Sequence, residues 1–261
     1  MSELDYEKVA FHIIDWLNNY IKDIPVKGFI VGVSGGVDSG LVASLCAKTG
    51  KEVLLLNMPI KQASAEYTRA RNQIKELEDN YSNVKGLQVD LTNTFETFSS
   101  TVPNDVKQNQ LAMANSRARL RMTTLYAIGQ THQLLVAGTG NKIEDFGIGF
   151  FTKYGDGGVD LNPIGDLLKS EVFKLAKHLG VIEEILLAKP TDGLWGDERN
   201  DEDQIGASYD ELEFAMLYEG NEEGLTERQK EVAKIYNHLH FINHHKMSPI
   251  PFCDLSNFKQ R

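Results

Sequence analysis

Residues 29–40, FIVGVSGGVDSG, decide how the rest of the chain reads. Phe29, Ile30, Val31 and Val33 form the apolar, β-branched run of a buried strand, and Ser34, Gly35 and Gly36 interrupt it before DSGLVASLCAK takes up helical spacing. The glycines therefore occupy a turn between a strand and a helix. Such a turn aims backbone N–H groups and the positive end of the helix dipole at one point, and glycine lets an anion approach the backbone closely. That point suits a phosphate, and the alternative is an ordinary strand-to-helix turn. A Walker A loop would need Gly-Lys-Ser/Thr, whereas Val37, Asp38 and Ser39 follow the glycines here. The G-x-G-x-x-G spacing of a dinucleotide fingerprint is absent too. Asp38 at the start of the helix either caps it or, beside phosphates, calls for a cation between two anions; a hard oxygen ligand in that place suits Mg²⁺.

Working outward, the strand EVLLLNMPI and the helix SAEYTRARNQIKELEDN follow, then NVKGLQVDL, a helical stretch over 111–129 and the strand QLLVAGTG. Near-continuous apolar strands separated by helices imply an α/β fold: a doubly wound, mostly parallel sheet with helices on both faces. A ligand is then expected at the carboxyl ends of the strands, where Ser34, Asn57, Asp90 and Thr139 fall. From Lys169 onward the pattern is helical, in KSEVFKLAKHLG, SYDELEFAMLYEG and TERQKEVAKIYNHLHFINHHK. The stretch 191–206, TDGLWGDERNDEDQIG, is rich in glycine and acids without an apolar period. It reads either as a solvated loop or as a flap over a site.

Composition narrows the function. The 261 residues suffice for one large α/β domain or two small ones, and 41% hydrophobic residues are ordinary for a soluble protein. A formal charge of −10, from 27 Lys+Arg against 37 Asp+Glu, argues against a nucleic-acid surface and requires anionic substrates to be met by local basic groups. The two cysteines, Cys46 and Cys253, make no metal or redox spacing, and a reducing, cytoplasmic setting is expected. The N-terminal stretch is charged throughout its amphipathic pattern, so neither a signal peptide nor a membrane span is expected.

A second constellation, GTGNKIEDFGIGFFTKYGDGGVDLNPIGD over 138–166, starts at a strand end and gathers glycines, acids, a lysine and a threonine with little regular structure expected. Glu144 would be a second oxygen ligand arriving from a different strand, or else a surface acid in a salt bridge. Upstream, NSRARLRMTTLYAIG puts Arg117 and Arg121 four apart on an otherwise apolar helix, with Arg119 pointing elsewhere. Arginines so placed either pair with acids or line an anion pocket or subunit boundary. The histidines of HLHFINHHK invite a zinc reading, but no cysteine or carboxylate motif completes a ligand set.

SGGVDS resembles the pyrophosphate loop of the N-type ATP pyrophosphatases, which split ATP between the α and β phosphates. NSRARLRM, GTGNKIED, FFTKYGDGGVDLNPI, KPTDGLW and HHK, in this order, resemble the ammonia-dependent NAD synthetases. The resemblance implies an adenine nucleotide α hydrolase-like fold in a single synthetase domain over 1–261, with no glutamine amidotransferase domain, and therefore free ammonia as the nitrogen donor. It implies that Gly32, Val33, Ser34, Gly35, Gly36, Val37, Asp38 and Ser39 hold the leaving phosphates of ATP, that Thr139, Lys169 and Thr191 contact ATP, and that Asp38 and Glu144 bind Mg²⁺. Arg119, Lys153, Asp160, His245 and Lys246 would bind deamido-NAD, with Asp156 near the incoming ammonia and, with Lys169, in a catalytic role. A homodimer with the dinucleotide at its interface is implied as well. The chain departs from the commonest pattern twice: GTGN replaces a form with Asp-His after the threonine, and one extra residue separates Glu144 from FFTKYGD. Another ligase of the same group, or a nucleotide sensor without catalysis, remains the competing reading; a tRNA partner fits poorly with the acidic charge.

Overall fold

The computed structural model describes residues 4–61, 64–190, 200–218, 220 and 223–258. Strands β1 (Gly28–Gly32), β2 (Glu52–Asn57), β3 (Val84–Gln88) and β4 (Leu134–Val136) form one parallel sheet in the order β3-β2-β1-β4. Helices α1 (Tyr6–Tyr20), α2 (Val37–Lys48) and α3 (Ser64–Asn80) come first. They are followed by α4 (Thr92–Thr101), α5 (Asn104–Gln108), α6 (Gln110–His132), α7 (Lys169–His178) and α8 (Glu183–Leu186).

Alternation along β1 explains the two faces. Phe29 and Val31 pack with α1, α2, α3 and α7, while Ile30 packs on the other side with Phe95 of α4 and with Met113, Leu125 and Ile128 of α6. Helices thus cover both faces, as the doubly wound reading requires. The chain leaves β1 toward β2 and β3 and then returns to the opposite side as β4. The strand order therefore reverses between β1 and β4, and the carboxyl ends of these two strands form the crevice where such sheets bind ligands.

Several expectations change in detail. The last strand stops at Val136, extended only by a bridge between Ala137 and Leu161, because the chain beyond Gly138 turns away into the loop over the site. Helix α4 forms from TNTFETFSST, a stretch of modest helix propensity that Phe95 anchors in the core, with the Asp90 carboxylate accepting from the Thr92 N–H at 2.8 Å just before it.

The C-terminal part is helical: the short α9 (Asp201–Ile205) is followed, as expected, by α10 (Tyr209–Leu217) and α11 (Glu227–Met247). They close a third core around Ile143, Ile148, Leu212 and Val232. The expectation of an irregular stretch over 191–206 is corrected for its end, where Asn200 caps α9 and both Asp201 and Ile205 are buried; residues 191–199, Thr191 among them, lie outside the described residues. No helix among the described residues is long and apolar enough to cross a membrane.

Candidate active site

The loop after β1 is tied by its serines. The Ser34 N–H donates to Ser39 Oγ at 3.1 Å, the Gly36 N–H donates to Ser34 Oγ at 3.2 Å, and the two hydroxyls lie 3.0 Å apart. Gly35 has φ +91°, and a Cβ there would lie 2.5 Å from the Glu66 carbonyl oxygen, so only glycine suits the turn. Arg69 donates to the Gly35 carbonyl from α3. The first turn of α2, whose leading N–H groups have no intrahelical partner, opens onto a cavity of about 250 Å³.

Gly32, Val33, Ser34, Gly36, Val37, Asp38 and Ser39 line this cavity together with Thr139, Glu144, Asp156 and Lys169; Gly35 faces α3 instead. Residues far apart in sequence therefore meet as expected. At the centre lies Lys169, the first residue of α7, with a side chain only 4% exposed. Its Nζ is 2.6 Å from Asp38 Oδ2 and 2.9 Å from Glu144 Oε1, and it sits over the Tyr209 ring, 4.7 Å from the centroid. The Tyr209 hydroxyl donates to Glu144 Oε1 at 2.6 Å, and Asn141 Nδ2 donates to Asp38 Oδ1 at 3.0 Å.

The electrostatics follow from this packing. Burial raises the Asp38 carboxyl above the usual carboxylate range, outweighing Lys169. Burial also opposes the charge of Glu144, but Lys169 and the Tyr209 hydroxyl outweigh it and hold this carboxyl below its ordinary value. Lys169 loses hydration as well, yet the two carboxylates keep it more firmly protonated than a free lysine.

The expectation of little regular structure over 138–166 is corrected at its centre. Lys142–Ile148 form a π-helix capped by Asn141, whose Oδ1 accepts from the Glu144 N–H at 3.1 Å, and closed by Gly149 at φ +64°. A π-helix takes more residues into each turn than an α-helix, and on this one Glu144 faces the cavity. The same turn brings in Asp145. A Cβ on Gly140 would lie 1.9 Å from Asp145 Oδ2, so the carboxylate fills the space a side chain at 140 would take, and Asn162 Nδ2 donates to it at 2.8 Å. Burial, with Glu144 beside it, pushes the Asp145 carboxyl well up.

Asp156 opens onto the cavity and accepts the Thr152 N–H at 3.0 Å; the surrounding protein pushes its carboxyl above the ordinary range. Arg121 also lines the cavity, donates to the Met58 carbonyl at 3.0 Å, and is pulled down to about 10 by burial. Arg117 instead lies over the Phe95 ring.

The residues assigned to the dinucleotide form a neighbouring group outside the cavity wall. Arg119 donates to the Lys153 carbonyl at 3.3 Å, Lys153 Nζ donates to the His245 carbonyl at 2.7 Å, and Lys246 Nζ donates to the Phe151 carbonyl at 2.9 Å. Burial lowers the Lys246 pKa. Asp160 stands apart: its carboxylate accepts from the Val136 N–H and the Tyr126 hydroxyl, bracing the end of β4. Among the described residues no group of three or more His, Cys, Asp or Glu could hold a metal, and His240 bonds the Gly147 carbonyl.

Asn141, Tyr209 and Asp145 complete the site without a sequence expectation, and Arg121, expected to pair with acids or to line an anion pocket or subunit boundary, lines the pocket. Asn141 follows the strand-end GTG and takes an N-cap position, a signal available in the sequence; Tyr209 reaches Glu144 across 65 residues and has none.

The family model of NAD synthase matches residues 9–260. The NH(3)-dependent NAD(+) synthetase of Mesoplasma florum is 36% identical over 245 residues, covering 93% of this chain and 95% of that one. Two solved structures are similar over nearly all of both chains. NMN synthetase from Francisella tularensis has a TM-score of 0.85 and 30% identity, covering 97% of this chain and 100% of that one. An NH3-dependent NAD synthetase from Campylobacter jejuni, in complex with a nitrate ion, has a TM-score of 0.77 and 27% identity, covering 96% and 100%.

Proposed function

The chain belongs to the NAD synthase family, and from that premise we propose how it amidates deamido-NAD with ammonia at the expense of ATP. The observation that carries the reading is the convergence of the serine-tied loop, Asp38, Glu144, Lys169 and Asp156 on one cavity at the β1/β4 switch point. A carboxylate is a poor acceptor for ammonia because oxide would have to leave, so it must first be activated. The nicotinate carboxylate attacks the α-phosphorus of ATP, the bond to the β-phosphate oxygen breaks, and pyrophosphate departs from an acyl-adenylate. Ammonia then attacks the acyl carbon, AMP leaves, and the nitrogen loses a proton.

The protein contributes position and charge to the first half. The amides at the start of α2 and the Lys169 ammonium face the leaving phosphates. Two converging carboxylates that already share one cation are a donor set fit for Mg²⁺, which takes one or two protein carboxylates and fills its octahedron with water and phosphate oxygens. Asp38 and Glu144 would hold it, and when bound it would neutralise phosphate charge. For the second half, Asp156 holds the incoming nitrogen as ammonium and helps remove its proton. Asp156→Asn is expected to slow amide formation about a hundredfold while leaving exchange of pyrophosphate into ATP unchanged. Equal loss in both assays would place Asp156 in the first half instead.

The Arg119, Lys153, His245 and Lys246 group would bind the dinucleotide, in a homodimer formed through the exposed sides of α6 and α1, where Leu111 and Phe11 stand in solvent. Arg119→Ala is expected to raise KM for deamido-NAD about tenfold with KM for ATP unchanged. Full activity of a sedimenting monomer would rule out the shared site.

The test of the reaction is NAD formation from deamido-NAD, ATP, Mg²⁺ and ammonium, with glutamine replacing ammonium in a second arm. Product only with ammonium is expected. The likeness to the Francisella protein, whose name specifies NMN, makes nicotinate mononucleotide the competing acid to run in parallel. Faster amidation of the mononucleotide would move the acid substrate to the smaller nucleotide and leave the chemistry intact.

A further inference from the structure

We infer that Lys169 is the resident cation of the Asp38–Glu144 pair and yields its place to Mg²⁺ only when phosphate oxygens arrive to receive its ammonium, so that metal and nucleotide enter together. The inference rests on assigning Mg²⁺ to these two acids.

Lys169 Nζ occupies the bridging position itself, 2.6 Å from one carboxylate and 2.9 Å from the other. Each acid is pinned from behind, Asp38 by Asn141 and Glu144 by the Tyr209 hydroxyl, so the pair cannot spread to admit a second cation beside the first. The face of the Tyr209 ring closes another side of the ammonium. A divalent ion entering alone would have to part a buried ammonium from both of its ion-pair partners, and breaking a buried ion pair is strongly disfavoured. It would also gain only two protein carboxylates, because among the described residues no third acid, histidine or cysteine completes a metal-binding group.

ATP changes both terms. Its phosphates add the missing oxygen ligands and also offer Lys169 a new partner. The lysine lines the same cavity as Gly32, Ser34, Gly36 and Ser39, and its flexible four-carbon stem lets Nζ turn while the first residue of α7 stays fixed.

Mn²⁺ is the probe, followed by water-proton relaxation and by calorimetric titration. The wild-type protein is titrated alone and with α,β-methylene-ATP, whose own Mn²⁺ binding is subtracted from a protein-free control. Lys169→Met, Asp38→Asn and Lys169→Met/Asp38→Asn are titrated alone, with thermal melting to check their folding. The wild type is expected to bind Mn²⁺ about tenfold or more tightly with the analogue than without it, a usual size for coupling between two ligands. Lys169→Met should gain a similar factor without any nucleotide, and the double variant should lose that gain. Lys169→Gln, which removes the charge and keeps a polar chain, serves the same arm if Lys169→Met does not fold, and a folded variant that binds Mn²⁺ no more tightly than the wild type would overturn the exchange.

Equally tight Mn²⁺ binding by the wild type with and without the analogue, abolished in Asp38→Asn, would overturn the exchange while sparing the metal assignment. Absence of protein-dependent Mn²⁺ binding even with the analogue would overturn the metal assignment and the inference with it.

Discussion

Asp38→Ala should lower the rate of NAD formation by about three orders of magnitude while the protein still folds. The loss is large because one side chain serves two purposes. Its carboxylate is one of two oxygen donors that converge at the head of α2, and it sets where Lys169 rests at 2.6 Å. The fold should survive because Lys169 keeps Glu144 as a partner at 2.9 Å, so no charge is left wholly alone. Steady-state rates and a melting curve read the two halves of this expectation. A fully active Asp38→Ala enzyme would remove Asp38 from the metal assignment.

Lys169→Met should cost both activity and stability. It replaces the cation shared by two carboxylates with an apolar chain of similar reach, and breaking a buried ion pair from one side typically costs about 3–5 kcal/mol. Turnover should fall by about a hundredfold or more, since the charge facing the phosphates is lost.

The stability deficit should depend on pH in a definite direction. In the wild type Lys169 holds Glu144 below its ordinary value and partly offsets the burial that raises Asp38. Without it, burial and mutual repulsion raise both carboxyls above their unfolded values. An acid raised by folding costs stability above its unfolded pKa and gives that stability back as the pH falls. The deficit should therefore be largest at neutral pH and narrow toward about pH 5 and below. Urea unfolding of both proteins at neutral and at acidic pH checks the sign. A deficit independent of pH would trace the loss to packing instead of charge.

Much of this was legible from local pattern. Phe29 to Val33 announced a buried strand, the glycines the turn after it, and the helical periods at 169–180, 208–220 and 226–246 the helices α7, α10 and α11, because each signal lies within a few residues of what it controls. The meeting of Asp38, Glu144, Asp156 and Lys169 came from resemblance, since no periodicity relates residues 131 apart. What escaped both was support. Tyr209 belongs to an ordinary capped helix and acquires its role only when α10 packs against the π-turn. Arg121 drew notice as a charge on an apolar helix, but only the cavity distinguishes it from Arg117, which lies on Phe95. Asp160, which the resemblance assigns to the substrate, has a second part that no local pattern announced: it fastens the end of β4 through the Val136 N–H.

The π-turn over Lys142–Ile148 ties the cavity to the C-terminal helices. Held at one end by Asn141 and at the other by Gly149, it gives Glu144 to Lys169 on one side, while its Gly147 and Ile148 carbonyls bond His240 and Asn243 of α11 on the other. An acid on so short and doubly anchored a turn has little freedom to drift, so a substitution on α11 that frees those carbonyls should be felt at Glu144 although it lies outside the cavity.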